Sequence, residues 1–230
     1  MNYQDLVDET ARTEFRLLKY GKGLRMAKHE NPASIAEPEF KFIKEFVEKN
    51  KLKRGYEVAT AFGISMLAAA VSFKKNGGKL VTMDAYIEEQ YNDCAAYDNV
   101  KKVTYEDSDG YKTAQFLIKT YGLENTVTPV VGFSPNDTKS ALEITFDLTK
   151  EKLDYAFIDA LHTEEAVIRD IEAVLPYLDK RYVLFLHDVH CFPSGRVQRY
   201  LLDKFGTSWS IVPGCEHPGN GYNLAMINKL

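Results

Sequence analysis

Cysteine is scarce in this chain. The three present, Cys94, Cys191 and Cys215, are odd in number and show no C-x-x-C spacing, which excludes a fully paired disulfide framework and a zinc ribbon. Surplus positive charge is missing too: a formal net charge of −4 gives no electrostatic basis for binding nucleic acid or an anionic membrane surface. No apolar run approaches the roughly 18 residues that a membrane-spanning helix needs. The opening M-N-Y-Q-D-L-V-D-E-T carries acids where a secretion signal needs basic and then apolar residues, so the expected location is cytoplasmic. Internal repeats and low-complexity tracts are also absent.

What is present is an alternation of short apolar strands and amphipathic helices. Hydrophobic residues make up 45% and charged residues 27%, a balance that supports a packed core rather than disorder. The chain is organised around Gly55 to Ala70, G-Y-E-V-A-T-A-F-G-I-S-M-L-A-A-A. A buried strand runs into a small-residue loop, Thr60 to Gly63, and then into an Ala- and Leu-rich helix from Ile64 to Phe73. The backbone of such a loop can approach a ligand closely, and the helix behind it offers unpaired N–H groups. Glu57 is the unusual residue, because an acid on an apolar strand costs free energy unless it accepts hydrogen bonds from a ligand or the neighbouring loop. Asn76-Gly77-Gly78 then turns the chain into a second strand, Lys79 to Asp84, which completes a right-handed βαβ unit. Asp84, at the tip of that strand, is placed to accept hydrogen bonds from the two hydroxyls of a ribose.

Before this unit, Pro38 opens a helix with the apolar face Phe40, Ile43, Phe46 and Val47. After it, strands are expected over Val127 to Gly132, Leu153 to Asp159 and Tyr182 to Leu186. Helices are expected over Tyr111 to Tyr121, Thr138 to Ile144 and Gly195 to Phe205. Another, capped by Thr163, has the buried stripe Val167, Ile171, Val174 and Leu178. Trp209 to Val212 and Tyr222 to Asn228 read as a closing hairpin. The fold class is therefore α/β: a Rossmann-like, doubly wound, mostly parallel seven-stranded sheet with an antiparallel last strand and helices on both faces. Residues 1–37 read as an N-terminal helical extension, whose helix over residues 4–20 is a natural contact for a homo-oligomer. Residues 38–230 form the ligand-binding domain, and residues 85–109 within it read as a lid over the crevice or else as a solvated excursion.

Ligands of an open α/β sheet sit beyond the carboxyl ends of its strands. Those ends carry Glu57 to Gly63, Asp84, Gly132 to Ser134, Asp159 to His162, and His187-Asp188.

The segment E-V-A-T-A-F-G from Glu57 to Gly63 resembles the first motif, E/D-x-G-x-x-x-G, of class I S-adenosylmethionine-dependent methyltransferases, with Ala59 in place of the first Gly. F-I-D-A-L-H-T-E-E-A-V-I-R-D from Phe157 to Asp170, followed by V-L-F-L-H-D-V from Val183, sharpens the likeness. It resembles the branch of metal-dependent small-molecule and sugar O-methyltransferases and cephalosporin-hydroxylase-like proteins. The resemblance implies S-adenosylmethionine as cofactor. It would be held by Asp84 at the ribose and by Glu57 at the methionine amino end, or with Glu57 ordering the loop. Ala59, Thr60 and Gly63 would line it by close approach, Ser65 would meet its carboxylate, and Phe133 and Ser134 would flank the adenine.

The resemblance also implies a divalent metal, Mg²⁺ or Mn²⁺, on Asp159 and Asp188, with His187 where the branch often has Glu. His162, three residues after Asp159, would be the base that deprotonates the acceptor hydroxyl. A neutral imidazole is a poorer Mg²⁺ ligand than a carboxylate, so His187 suits Mn²⁺ or Zn²⁺ better, or stands outside the donor set. The implied activity is O-methylation of a small-molecule hydroxyl. Plainer readings compete at single residues: Asp159 as a cap for the helix at Thr163, His162 and His190 as surface histidines, and Phe133 as a core aromatic. Two other functions compete for the whole chain. One is an NAD(P)-dependent oxidoreductase, which shares the βαβ unit and Asp84 but lacks G-x-G-x-x-G; the other is a non-catalytic ligand-binding domain of the same fold.

Overall fold

The computed structural model describes residues 35–86, 108–192, 194–217, 221–222 and 224–230. The expected helix over residues 4–20 and residues 87–107 of the expected lid lie outside the described residues.

The described elements are α1 (Glu37–Lys49), β1 (Arg54–Val58), α2 (Ile64–Asn76), β2 (Lys79–Asp84), α3 (Asp109–Thr120), β3 (Val127–Val131), α4 (Thr138–Glu143), β4 (Leu153–Ile158), α5 (Glu164–Val174), β5 (Leu178–His187), α6 (Arg196–Phe205), β6 (Ser210–Ile211), β7 (Glu216–His217), β8 (Gly221–Tyr222) and β9 (Leu224–Asn228). The main sheet has seven strands in the order β3-β2-β1-β4-β5-β9-β6. Strands β1 to β5 run parallel, and β9 is antiparallel to both β5 and β6. The chain winds outward from β1 to β3 and returns to β4 on the other side of β1, so the switch of direction falls between β1 and β4, where the ligand crevice of such a sheet opens. The closing hairpin forms as expected from β6 and β9. Its link carries a small ladder of its own, β7 with β8, where sequence suggested a plain turn.

Period-2 alternation divides the strand residues between two cores. Tyr155, Phe157, Val183 and Phe185 pack with α1, α2 and α3 on one face, through residues such as Ile43, Val47, Phe73 and Leu117. Tyr56, Val58, Ala156, Ile158, Leu184 and Leu186 pack with α4, α5 and α6 on the other, through Leu142, Ile171 and Val197. Gly55 lets β1 lie close under α2, since a Cβ there would stand 2.6 Å from the Phe73 ring. The parity has a functional consequence: Glu57, Asp159 and His187 continue the series that contains Phe157 and Phe185, and so belong to the face covered by α1 and α2.

Several boundaries differ from expectation, and two have a clear local cause. α5 stops at Val174, because Pro176 cannot continue a helix, and Leu178 opens β5 instead of completing the helical stripe. α3 begins at Asp109, two residues early, with the Ser108 hydroxyl accepting the Tyr111 N–H at 3.3 Å.

Candidate active site

The loop that leaves β1 alternates left-handed residues: Ala59 at φ +70°, Ala61 at +44° and Gly63 at +83°. This conformation is free for glycine but costs about 1–2 kcal/mol for alanine, so two strained residues are held at the mouth of the crevice. Asp84 does much of the holding. Its Oδ2 accepts the Ala61 N–H at 2.8 Å and its Oδ1 the Tyr86 N–H at 2.6 Å, while burial raises its pKa against these bonds. A carboxylate has about four acceptor positions, so two are left for a ligand.

Glu57 is fully buried on β1. Its Oε2 accepts from the Thr82 hydroxyl at 2.6 Å, and Thr82 Oγ1 lies 2.6 Å from Thr60 Oγ1, so the acid is linked to the loop through two threonines. Burial pushes its pKa up to about 7, against the Ser65 and Thr82 hydroxyls that favour the ionised form. Thr60 and Ser65 are themselves buried. Their side chains serve this internal network, which leaves the loop backbone as the part of the motif open to a ligand.

Past β3, Phe133 is 49% exposed, which disposes of its reading as a core aromatic. Its N–H donates to Asp137 at 2.8 Å, and the neighbouring Ser134 hydroxyl donates to Asp170 on α5. Burial raises the Asp170 carboxyl to about 6.

At the ends of β4 and β5 the acids and histidines converge. His162 Nε2 lies 3.3 Å from Asp159 Oδ1 and 3.2 Å from Asp188 Oδ2. One donor atom each from Asp159, His162 and Asp188 falls within 4.8 Å of the others. Asp188 itself adopts a left-handed φ of +49°, directly before a short 3-10 turn, Val189–Cys191. His187 sits behind this group: its side chain is 3% exposed, with Nδ1 3.1 Å from Asp159 Oδ1 and Nε2 3.3 Å from Glu39 Oε2. His190 Nδ1 is farther out, 3.8 Å from Asp188 Oδ1.

The electrostatics follow from the contacts. Burial works to raise the Asp159 pKa, but the His187 and His162 imidazoles outweigh it and hold the carboxyl below its usual value. The bond to Asp159 raises His162 above an ordinary histidine despite partial burial. Burial opposes a charge on His187, yet Asp159, Asp188 and Glu39 carry it well above the ordinary value. Asp159 does not cap α5. Thr163 does, its hydroxyl accepting the Ala166 N–H at 3.3 Å.

Glu39 is the member that sequence reasoning missed. A signal existed: Glu39 lies four residues before Ile43, so it starts the apolar stripe of α1 with an acid.

A methyltransferase-domain family model matches residues 57–189, more than half of the 230-residue chain. The chain belongs to the methyltransferase-domain family. The match runs from Glu57 through Val189, so it includes every strand end described above. Solved structures agree on the methyltransferase fold. An O-methyltransferase from Bacillus cereus in complex with SAH is similar with a TM-score of 0.64 at 15% identity, over 98% of this chain and 96% of that one. The O-methyltransferase TomG from Streptomyces achromogenes, involved in tomaymycin synthesis and solved with SAM, gives 0.59 at 15% identity, over 100% and 97%. Cofactor-bound Rv0187 from MTB gives 0.63 at 15% identity, over 98% and 95%. No curated protein matches the chain. The resemblance to class I S-adenosylmethionine-dependent methyltransferases is thus borne out, as is the doubly wound sheet. None of the described helices is long and apolar enough to cross a membrane.

Proposed function

We propose that this chain transfers a methyl group from S-adenosylmethionine to a hydroxyl of a small molecule. The observation that carries the reading is the meeting of Asp159, His162 and Asp188 at the ends of β4 and β5, on the same edge of the sheet as the Glu57–Gly63 loop and Asp84. Similar folds crystallised with SAM or SAH support the cofactor, and those described as O-methyltransferases support oxygen as the acceptor atom.

Methyl transfer is an in-line displacement: the acceptor oxygen bonds the methyl carbon, the carbon–sulfur bond breaks, and the hydroxyl proton must leave. Two acceptor positions of Asp84 serve the ribose hydroxyls, and the backbone of Ala59, Thr60 and Gly63 lies along the methionine portion. Ser65 belongs to the network beneath it, and Phe133, with Ser134 beside it, borders the adenine. His162 takes the proton at Nδ1, since its Nε2–H donates toward Asp159 and Asp188. Asp159 and Asp188 orient its ring and favour its protonated form, the arrangement a general base requires.

The same group favours a second reading. Two carboxylates and an imidazole with donor atoms within 4.8 Å of one another fit a divalent cation. Asp159, Asp188 and His162 would hold it, with His187 behind them, and a cation bound there lowers the pKa of the acceptor hydroxyl. The nitrogen ligand favours Mn²⁺ over Mg²⁺.

Calorimetric titration with S-adenosylhomocysteine tests the core proposal, and a well-folded protein that binds none overturns it. Methyl transfer from labelled S-adenosylmethionine to a panel of phenols and sugars follows. With an acceptor in hand, Asp159→Ala lowers kcat about 100-fold or more. A chelator separates the two readings: activity lost with EDTA and restored by Mn²⁺ supports the cation, and activity indifferent to EDTA supports His162 as base.

A further inference from the structure

We infer that Glu39 is a positioning residue for this site: from the first turn of α1 it holds the His187 ring and through that ring fixes Asp159. The inference rests on the reading of Asp159, His162 and Asp188 as the functional group of side chains.

An acid in the first turn of a helix needs only the helix N-terminus as partner and is normally solvated. Glu39 does accept the Ala36 N–H, at 2.5 Å through Oε2, but it is 1% exposed, and its Oε1 has no hydrogen-bond partner among the described residues. Burial of a carboxylate in this state is costly, and capping does not require it. What the burial achieves is contact with His187, whose Nε2 lies 3.3 Å from the same Oε2. The other ring nitrogen of His187 is then directed at Asp159 Oδ1, at 3.1 Å, and lies 3.5 Å from Asp188 Oδ2. Asp159 Oδ1 is also the atom that faces His162, at 3.3 Å. A continuous line of contacts therefore runs from Glu39 through His187 to the carboxylate that orients His162.

Strand parity explains why the group comes from the face of the sheet that α1 helps to cover. His187 continues the Val183, Phe185 series, and Phe42 and Phe46 of α1 pack edge-on against Phe185 two residues earlier. The helix that packs on Phe185 is the one that meets His187. It lies before residue 57, outside the segment matched to the family model. Partners that orient a site from behind are typically worth about 10- to 100-fold in metal affinity or activity.

The test uses the full chain and the variants Glu39→Gln and His187→Asn. Imidazole nitrogen NMR spectra are recorded at one pH without metal, and His187→Asn assigns the His187 signals. Glu39→Gln is expected to shift the ring resonances of both His187 and His162 and to weaken Mn²⁺ binding about 10- to 100-fold by calorimetry. Affinity for S-adenosylhomocysteine should stay within about twofold, since the hydrogen bonds of Glu39 go to Ala36 and His187 and not to the β1 loop. A folded Glu39→Gln protein with unchanged His187 and His162 resonances overturns the inference. The resonances decide it even in a protein that binds no Mn²⁺, where only the metal reading fails. Should Glu39→Gln not fold, the unmodified protein decides: a slowly exchanging Nε2 proton on His187 supports the contact, and a ring in fast exchange with water overturns it.

Discussion

Ala59 carries a backbone conformation that belongs to glycine, at φ +70° in a loop whose family motif has glycine there. Ala59→Gly should relieve about 1–2 kcal/mol of strain and give back about 0.4–1 kcal/mol through the freer unfolded chain. The expected outcome is a urea midpoint equal to or above that of the parent, with S-adenosylhomocysteine bound at least as tightly. Ala59→Val should lower the midpoint clearly, because a β-branched residue is poorly accommodated at positive φ. Glu57 gives a second test at this scale. Its folded pKa of about 7 lies above the ordinary 4.5. Between those values the folded protein keeps a proton that the unfolded chain has lost, so the Glu57 contribution to stability falls as pH rises through that window. Urea unfolding across this range should show a smaller decline for Glu57→Gln than for the parent. An identical pH dependence in both proteins would refute the assignment.

At the scale of elements, the sheet is fastened at both ends by carboxylates with opposite duties. Asp84 sits at the ligand end. At the far end, Asp154 of β4 accepts the Lys53 and Arg54 N–H groups at 2.9 Å each, which joins the starts of β1 and β4. Asp154→Ala is expected to cost about 1–3 kcal/mol by chemical unfolding. Its affinity for S-adenosylhomocysteine should match the parent, because the change lies a strand length from the crevice. These two acids were not equally legible in the sequence. Asp84 announced itself as the acid that ends an apolar strand within a βαβ unit, as did Asp159 and Asp188 on theirs. Asp154 lies at the start of a strand, where an acid is unremarkable, and only the register of β1 against β4 gives it partners. Glu39 was obscured for a similar reason: its signal was local to α1, whereas its meaning depends on His187, 148 positions later. The alternation that placed strands and helices was readable because each element buries one face. The boundary of α5 was misplaced because Leu178 suited the helical stripe, and the effect of Pro176 outweighed that pattern.

For the whole molecule, the described fold places the Glu57–Gly63 loop, Asp84, Asp159, His162 and Asp188 on one edge, so ligand binding there should report on global stability. At a concentration 100 times its dissociation constant, S-adenosylhomocysteine should add about 2.7 kcal/mol. For a chain of this size that is a rise in Tm of about 5–10 °C. A thermal shift that does not grow with ligand concentration would argue against specific binding to the native state. The pairing of β4 with β5 bears on a different matter, the tolerance of the chain to changes in length. Leu153 pairs with Leu178 but Tyr155 pairs with Val183, so β5 carries three more residues than β4 between these two pairs. That slack lies at Asp179 to Tyr182, ahead of the stretch in regular register that ends in His187. One extra residue inserted between Lys180 and Arg181 is absorbed there, and His187 keeps its face of the sheet. The same insertion after Leu184 turns His187 to the opposite face and brings Leu186 toward α1. The molecule thus separates a segment that can gain or lose residues from one in which residue number itself is part of the candidate site.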